Sequence, residues 1–178
     1  NLPTYLNGKN VGVSALYNTM VAAKAACPNQ ALVLSGYSQG AMAVHQLLQG
    51  LAQTTDPVQS AIKAVVLIAD PMRTSDSEVL NFGDAPSDSK GLCKLGPNFV
   101  DGCDSGGVRD IPNRYQKMTT TVCEHYDLVC DTTSLIADMW PLGRDAAQTG
   151  ITVHTLYAAT PETKLAGKRA ARRVMNGG

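Results

Sequence analysis

The segment ALVLSGYSQGAMAVHQLLQGLA, residues 31–52, contains the clearest structural signal in this chain. Its first residues form an apolar run typical of a buried strand, and from residue 41 apolar residues recur at helical spacing. Between them lies Gly36-Tyr37-Ser38-Gln39-Gly40, which matches the G-x-S-x-G pattern of a sharp strand-to-helix turn. Such a turn exposes a serine at the end of a parallel strand. The stretch therefore predicts an α/β fold in which Ser38 is a nucleophile.

The predicted turn restricts its neighbours. We expect neither Gly36 nor Gly40 to have room for a Cβ, because the strand and the helix pass close to both. The helix that begins after Ser38 directs its N-terminal N–H groups at the site, which favours negative charge there. We therefore expect the backbone N–H of Gln39 to form part of an oxyanion hole.

The rest of the chain alternates strand and helix patterns. Further strands are expected at 64–69 and 117–122, and helices at 11–26, 132–140 and from Pro161 onward. Residues 72–112 and 141–150 are expected to be loops. This alternation indicates a three-layer α/β/α sandwich with a mostly parallel sheet. The length of 178 residues suits one domain, 1–178.

A serine nucleophile needs a histidine base, and the chain has three histidines. His45 lies in the helix that follows Ser38 and is expected to be structural. In α/β-hydrolases the chain order is serine, acid, histidine. His154 comes late enough in the chain to follow an acid, whereas His125 would precede its own.

Asp127 is the expected orienting acid. It follows the strand predicted at 117–122, and open α/β sheets bind their ligands at the carboxyl ends of the strands. A disulfide between Cys123 and Cys130 would close the loop around Asp127 and fix its backbone. Asp131, just outside that loop, remains the alternative acid.

The five cysteines indicate the compartment. Cys93 and Cys103 flank a loop rich in Gly and Asp, as Cys123 and Cys130 flank the acid loop. Neither pair is accompanied by a second Cys/His pair at zinc-ligand spacing, so two loop-closing disulfides are expected and no metal site. Disulfides imply export. Cys27 is left without a partner.

The charge balance restricts the partners. Fifteen basic residues balance fifteen acidic ones, so nothing argues for nucleic acid. No apolar stretch approaches the ~20 residues that a membrane-spanning helix needs. One basic run lies near the end: Lys164, Lys168, Arg169, Arg172 and Arg173. A solvated helix face is the simplest interpretation of this run, and peripheral contact with an anionic envelope or lipid surface is the alternative.

Taken together, these motifs resemble the cutinase family. The resemblance rests on the Gly36–Gly40 turn preceded by Cys27-Pro28, on CEHYDLVC at 123–130, and on His154 before a final helix. It implies a small lidless α/β-hydrolase with a five-stranded, mostly parallel sheet and a Ser-Asp-His triad that needs no cofactor. It also implies secretion and activity on esters, from short acyl chains to lipids or polyesters.

The chain departs from the family pattern in the stretch 72–114, which is longer than in a minimal fungal cutinase. Together with Asp70-Pro71-Met72-Arg73 it is more similar to relatives from mycolic-acid-bearing actinobacteria or their phages, which act on envelope lipids, phospholipids or other long-chain esters. Arg73 is expected to form a surface ion pair or to contact an anionic head group.

A second departure concerns the front of the chain. Only three core strands are predicted, and the family has a further strand and an oxyanion-hole Ser or Thr upstream of anything present here. In the family, the cysteine that precedes the G-x-S-x-G turn also pairs with one near the mature N-terminus. We therefore expect residues 1–178 to be the carboxyl-terminal part of a longer or nicked protein. Its N-terminal segment would be linked through Cys27, complete the sheet and supply the second oxyanion donor.

The leading functional expectation is an exported serine ester hydrolase that acts on lipid or polyester esters. Apolar residues near the expected base favour an apolar acyl chain, although packing against the domain explains them equally well: Met139, Trp140, Leu142 and Leu156. An acetyl-carbohydrate esterase is the alternative within the same class. A catalytically silent cell-surface protein that kept the fold is the alternative from a different class.

Overall fold

The computed structural model describes residues 2–75, 79–95, 103, 110–139 and 143–177. Its helices are α1 (Leu2–Ala26), α2 (Gln39–Ala52), α3 (Asn113–Gln116), α4 (Thr132–Met139), α5 (Arg144–His154) and α6 (Pro161–Met175). Its strands are β1 (Leu32–Tyr37), β2 (Ile62–Ile68), β3 (Leu80–Asn81) and β4 (Thr119–Val122). In these residues, no helix combines the length and the apolar character needed to cross a membrane.

The four strands form one parallel sheet in the order β1-β2-β4-β3. The strands expected from the sequence at 64–69 and 117–122 are present as β2 and β4. The two-residue strand β3 was not predicted, because it is too short to show an alternating pattern. The described residues thus contain one strand fewer than the five that the resemblance implies.

Helices cover both faces of this sheet, which confirms the three-layer α/β/α architecture. On one face Val65 and Leu67 of β2 pack into a cluster with buried side chains of α1 and α2. On the other face Ala64 and Val66 pack into a second cluster with Ala166 and Ala170 of α6. Burial on both faces explains why β2 reads as a nearly continuous apolar run.

The helix α5 corrects the expected loop at 141–150, which is wrong from residue 144 onward. Gly150 and the β-branched residues after it lower the helix propensity of this segment and concealed the helix. Gly150 is needed for packing, since a Cβ there would lie 2.8 Å from the Cβ of Leu128. The backbone N–H of Leu128 also donates to the Gly150 carbonyl at 3.3 Å.

Arg73 is buried, so its expected place at the surface is wrong. Its guanidinium donates to the carbonyl and the hydroxyl of Ser89 and to the Pro86 carbonyl. A buried cation needs such acceptors, and here backbone carbonyls supply most of them. Arg73 therefore holds the 86–89 loop against the domain.

The turn between β1 and α2 takes the sharp form that the sequence predicts. Ser38 has φ 54° and ψ −121°, a conformation rarely adopted by a residue with a side chain. A Cβ on Gly36 would lie 2.3 Å from the Gly40 carbonyl oxygen, so only glycine fits there. The same expectation is wrong for Gly40, because a Cβ on that residue would meet no atom within 4 Å.

The two glycines of the turn should therefore respond in opposite ways to alanine. Gly36→Ala is expected to lower the free energy of unfolding by about 3 kcal/mol, because its methyl group overlaps backbone atoms that cannot move away. Gly40→Ala is expected to be neutral or stabilising by about 0.5 kcal/mol, since alanine favours the helix and finds open space. Urea unfolding of both variants measures the difference. Equal destabilisation would contradict the close approach of β1 and α2.

Candidate active site

Ser38 follows the last residue of β1 and is the N-cap residue of α2. Its backbone N–H donates to the Ile68 carbonyl at 2.9 Å, which extends the β1–β2 pairing beyond the strand itself. Its carbonyl accepts from the N–H of Met42 at 3.1 Å, in the first turn of α2. Fixed on both sides, the side chain brings Oγ to 3.0 Å from Nε2 of His154.

His154 is the last residue of α5 and lies between the other two predicted site residues. Its Nδ1 is 3.0 Å from Oδ2 and 3.1 Å from Oδ1 of Asp127. When Nδ1 carries the proton and donates to the carboxylate, Nε2 has a free lone pair directed at Ser38. The side chain remains 17% exposed, so a substrate can reach it. The structure thus brings Ser38, His154 and Asp127 together in that order.

Asp127 is fully buried in the loop that the Cys123–Cys130 disulfide closes. Its Oδ1 accepts from the backbone N–H groups of Val129 at 2.6 Å and Cys130 at 3.0 Å. Its Oδ2 accepts from the hydroxyl of Tyr157 at 2.7 Å. Together with His154, these donors satisfy both carboxylate oxygens, as a buried charge requires. The loop therefore fixes both the position and the orientation of the carboxylate.

Tyr157 is a site residue that the sequence analysis missed. It is buried, donates to Asp127 and accepts the backbone N–H of Glu124 at 2.9 Å. Burial, and then the charge of Asp127, raise the pKa of its hydroxyl well above the ordinary value, so it stays a donor. Its place three residues after His154 was the only signal in the sequence, and spacing alone does not reveal a hydrogen bond.

Tyr37 is the second missed residue, although it occupies a variable position of the G-x-S-x-G pattern. Its ring stacks on the imidazole of His154, with centroids 5.2 Å apart and planes 22° from parallel. Its hydroxyl donates to the backbone carbonyl of His154. The ring face and the hydrogen bond together restrict the orientation of the imidazole.

The other two histidines pair with other carboxylates. His45 is buried with Nδ1 2.6 Å from Oδ2 of Asp70, and its expected structural role stays a prediction. His125 lies with Nδ1 2.8 Å from Oδ2 of Asp131. The alternative acid Asp131 therefore contacts His125, and the structure gives His154 the expected partner, Asp127.

Gln39 begins α2 immediately after Ser38, so its backbone amide lies at the N-terminal end of a helix of 14 residues. Peptide dipoles make this end electropositive, as the expected oxyanion role requires. That role stays a prediction. Among the described residues no group of three or more His, Cys, Asp or Glu side chains could hold a metal ion.

The cysteines follow the expected pairing. Cys93 is joined to Cys103, and Cys123 to Cys130. Cys27 is exposed and carries a free thiol. Its link to an N-terminal segment stays a prediction.

Of the apolar residues expected beside the base, Leu156 is half exposed and lies two residues after His154. Trp140, Leu142 and the side chain of Met139 lie outside the described residues. What they contact stays a prediction.

A carboxyl pair adjoins the acid loop. Glu124 precedes His125, whose backbone N–H donates to Oδ1 of Asp84 at 2.6 Å. Burial, and then a side-chain hydrogen bond with Asp84, raise the pKa of Glu124 to about 7. The backbone N–H of Glu124 donates to Tyr157, which links this pair to Asp127.

Comparison with known proteins identifies the family of this chain. The cutinase family model matches residues 1–166. A cutinase of Monilinia fructicola is 30% identical over 122 residues, which are 68% of this chain and 56% of that protein. A cutinase of Hypocrea jecorina is 36% identical over 100 residues, 56% of this chain and 38% of that protein. The chain thus spans about half the length of these relatives or less.

Solved structures show the same similarity. A cutinase-like protein from Cryptococcus sp. is 30% identical with a TM-score of 0.55, over 68% of this chain and 55% of that chain. An acetyl xylan esterase, solved as an iodinated complex, is 19% identical with a TM-score of 0.59, over 94% of this chain and 70% of that chain. At that low identity the second likeness shows the fold alone.

Replacement of Glu124 by Gln should change how stability depends on pH. Because the folded state raises the pKa of Glu124, the unfolded chain loses this proton at lower pH than the folded chain does. The free energy of unfolding should therefore fall as the pH rises from about 4.5 to about 7 and stay low above that. Glu124→Gln removes this loss, so the variant should gain about 1 kcal/mol near pH 8 after allowance for solvent screening.

Thermal unfolding across this pH range measures the effect. Near pH 4 the variant and the parent protein should be about equally stable, since Glu124 is then mostly protonated and, like glutamine, uncharged. Asp110→Asn, at an exposed carboxyl group, is the control and should leave the pH profile unchanged. A Glu124→Gln profile parallel to that of the parent would contradict the raised pKa.

Proposed function

This chain belongs to the cutinase family, and we propose that it is an exported serine carboxylic-ester hydrolase in which Ser38, His154 and Asp127 carry the chemistry. The observation that carries the proposal is the hydrogen-bonded series from Ser38 Oγ to His154 Nε2 at 3.0 Å and from His154 Nδ1 to Asp127 at 3.0 Å. Two disulfides support export, because reducing compartments do not maintain such bonds.

In the first half of the reaction Ser38 Oγ attacks the ester carbonyl carbon. His154 Nε2 takes the hydroxyl proton as the bond forms, and the imidazolium then donates through Nδ1 to Asp127. The negative carbonyl oxygen accepts the backbone N–H of Gln39 at the start of α2. His154 next returns its proton to the leaving alcohol, and an ester between Ser38 and the acyl group remains.

In the second half water repeats the sequence. His154 removes a proton from water as its oxygen adds to the acyl carbonyl. The second tetrahedral species then collapses to the free acid, and His154 returns the proton to the leaving Ser38 Oγ. A second oxyanion donor is expected from the upstream segment that the sequence analysis predicts. The reaction uses no redox step, and the described side chains supply every proton transfer.

Substrate class is a separate proposal, and we favour lipid or polyester esters. Ile151 on α5 and Leu156 after it are both about half exposed on the segment that carries His154. Exposed apolar side chains near the base provide a surface for an alkyl chain and offer no hydrogen-bond partner to the hydroxyl groups of a sugar. Acetylated carbohydrates remain the alternative substrate class.

Ester hydrolysis should disappear when Ser38 is replaced by alanine. We expect Ser38→Ala to lower kcat for p-nitrophenyl esters by about 10⁴-fold or more, because among the described residues Ser38 has the one hydroxyl within hydrogen-bond distance of His154 Nε2. Ser35→Ala, at an exposed serine of β1, is the matched control and should retain full activity. An optimum at medium or long acyl chains supports lipid or polyester substrates, and an optimum at acetate supports carbohydrate esters.

The same assay can overturn the proposal. The proposal is wrong if the folded parent protein hydrolyses no ester, from acetate to palmitate, faster than Ser38→Ala does. The chain would then be the catalytically silent surface protein. Reaction of Ser38 with a phosphonate ester provides an independent measure of nucleophilicity.

Tyr157 should act as a positioning residue for Asp127. Tyr157→Phe is expected to lower kcat by about tenfold with little change in KM, because Asp127 loses one donor and holds the imidazole less firmly. Tyr115→Phe is the matched control: Tyr115 is also buried and donates to Gln59 at 2.7 Å, without a contact to the predicted triad. Both variants should lose comparable stability, and only Tyr157→Phe should lose kcat. An equal kcat for both would leave Tyr157 a purely structural residue.

A further inference from the structure

The chain has no net charge, but the helix α6 concentrates positive charge. It carries Lys164, Lys168, Arg169, Arg172 and Arg173 against a single acidic residue, Glu162, for a net charge of +4. The remainder of the chain has ten basic and fourteen acidic residues, for a net charge of −4. One helix therefore carries a net positive charge that the rest of the chain offsets.

Part of this charge lines an open groove beside the sheet. The groove has a volume of about 540 Å³ and is formed by Phe82, Leu165, Lys168, Arg169, Arg172, Arg173 and Asn176. Phe82 follows β3 and packs partly against the core cluster beneath α6. We call this feature the α6 groove. Its described lining includes four cations and no carboxylate.

Three of these cations have no partner within the part of the chain that the structure describes. Arg173 donates to the carbonyls of Lys63 and Lys117, so it ties α6 to the sheet. Lys168, Arg169 and Arg172 form no side-chain hydrogen bond or ion pair with a described residue. Adjacent like charges repel one another, and an anion bound between them would relieve this repulsion.

Exposed apolar side chains lie among the three cations. At about 100° per residue, Leu165, Lys168, Arg169, Arg172 and Met175 fall within an arc of about 120° on α6. Leu165 is 46% exposed and Met175 is 75% exposed. An acidic polysaccharide would satisfy the cations and leave these aliphatic side chains in water, whereas a lipid surface covers both kinds of group.

We propose that the α6 groove docks the protein onto a negatively charged lipid surface. Lys168, Arg169 and Arg172 contact the anionic head groups, and Leu165 and Met175 enter the boundary between head groups and acyl chains. Phe82 forms the apolar floor of the groove. This docking does not require ester hydrolysis, and the test separates the two by using Ser38→Ala as the parent protein.

The test is sedimentation of the protein with lipid vesicles. With roughly one-third phosphatidylglycerol in phosphatidylcholine, Lys168→Gln/Arg169→Gln/Arg172→Gln should bind about 100-fold more weakly than its parent, at about fivefold per cation. Binding of the parent should fall as salt is added and should be absent on phosphatidylcholine alone. Leu165→Ser/Met175→Ser should keep the salt dependence and lose about tenfold in binding.

A second triple variant separates the groove from overall charge. Lys90→Gln/Arg114→Gln/Arg144→Gln also removes one lysine and two arginines, all from exposed positions outside the groove, and should bind like the parent. Equal losses for both triple variants would overturn the proposal, since net charge alone would then explain binding. Absence of parent binding to anionic vesicles would also overturn it. A third contradicting result would be a parent protein that binds polygalacturonate and not vesicles, together with loss of that binding in Lys168→Gln/Arg169→Gln/Arg172→Gln. Thermal unfolding establishes that each variant is folded.

Discussion

The close approach of β1 and α2 at Gly36 leaves no space for a side chain and restricts the turn between the two elements. It forces Ser38 into a positive φ, a conformation that costs about 1–3 kcal/mol and persists only when its surroundings impose it. The pairing of Ser38 with Ile68 and the buried face of α2 impose it here. Because α2 is anchored through Leu47, Leu48 and Leu51 to the first core cluster, the serine cannot relax without loss of core packing.

The parallel arrangement of the sheet brings the other site residues to the same edge. Parallel strands all end on one side, so the segments after β1 and β4 meet there. Because Asp127 is buried there, its carboxylate needs hydrogen-bond donors. The backbone N–H groups of Val129 and Cys130, the His154 ring and the Tyr157 hydroxyl provide them. A buried carboxylate with fewer donors would be unstable, so the acid loop and the segment after α5 depend on each other.

The sequence was sufficient where a residue's position follows from chain order and local pattern. The turn at Ser38, the acid loop and the position of His154 all belong to this group, and the structure brings the three residues together. It was insufficient where a role depends on distant neighbours. Arg73 is buried against the loop at 86–89, and a Cβ on Gly40 would meet open space. Gly150 lowers the helix propensity of α5, yet its close packing on Leu128 requires glycine. Tyr37 and Tyr157 contact the site through tertiary geometry that no spacing encodes.

The helix α6 combines two tasks because its faces differ. Small residues, Ala166 and Ala170, let it lie close against β2 and β4, and the opposite side is left to long cations and exposed apolar side chains. Since α6 begins directly after the turn that carries Tyr157, only a short segment separates it from the site. A lipid surface bound along α6 would therefore lie in a fixed orientation relative to Ser38. The rest of the chain carries net negative charge, so an anionic surface favours contact through α6.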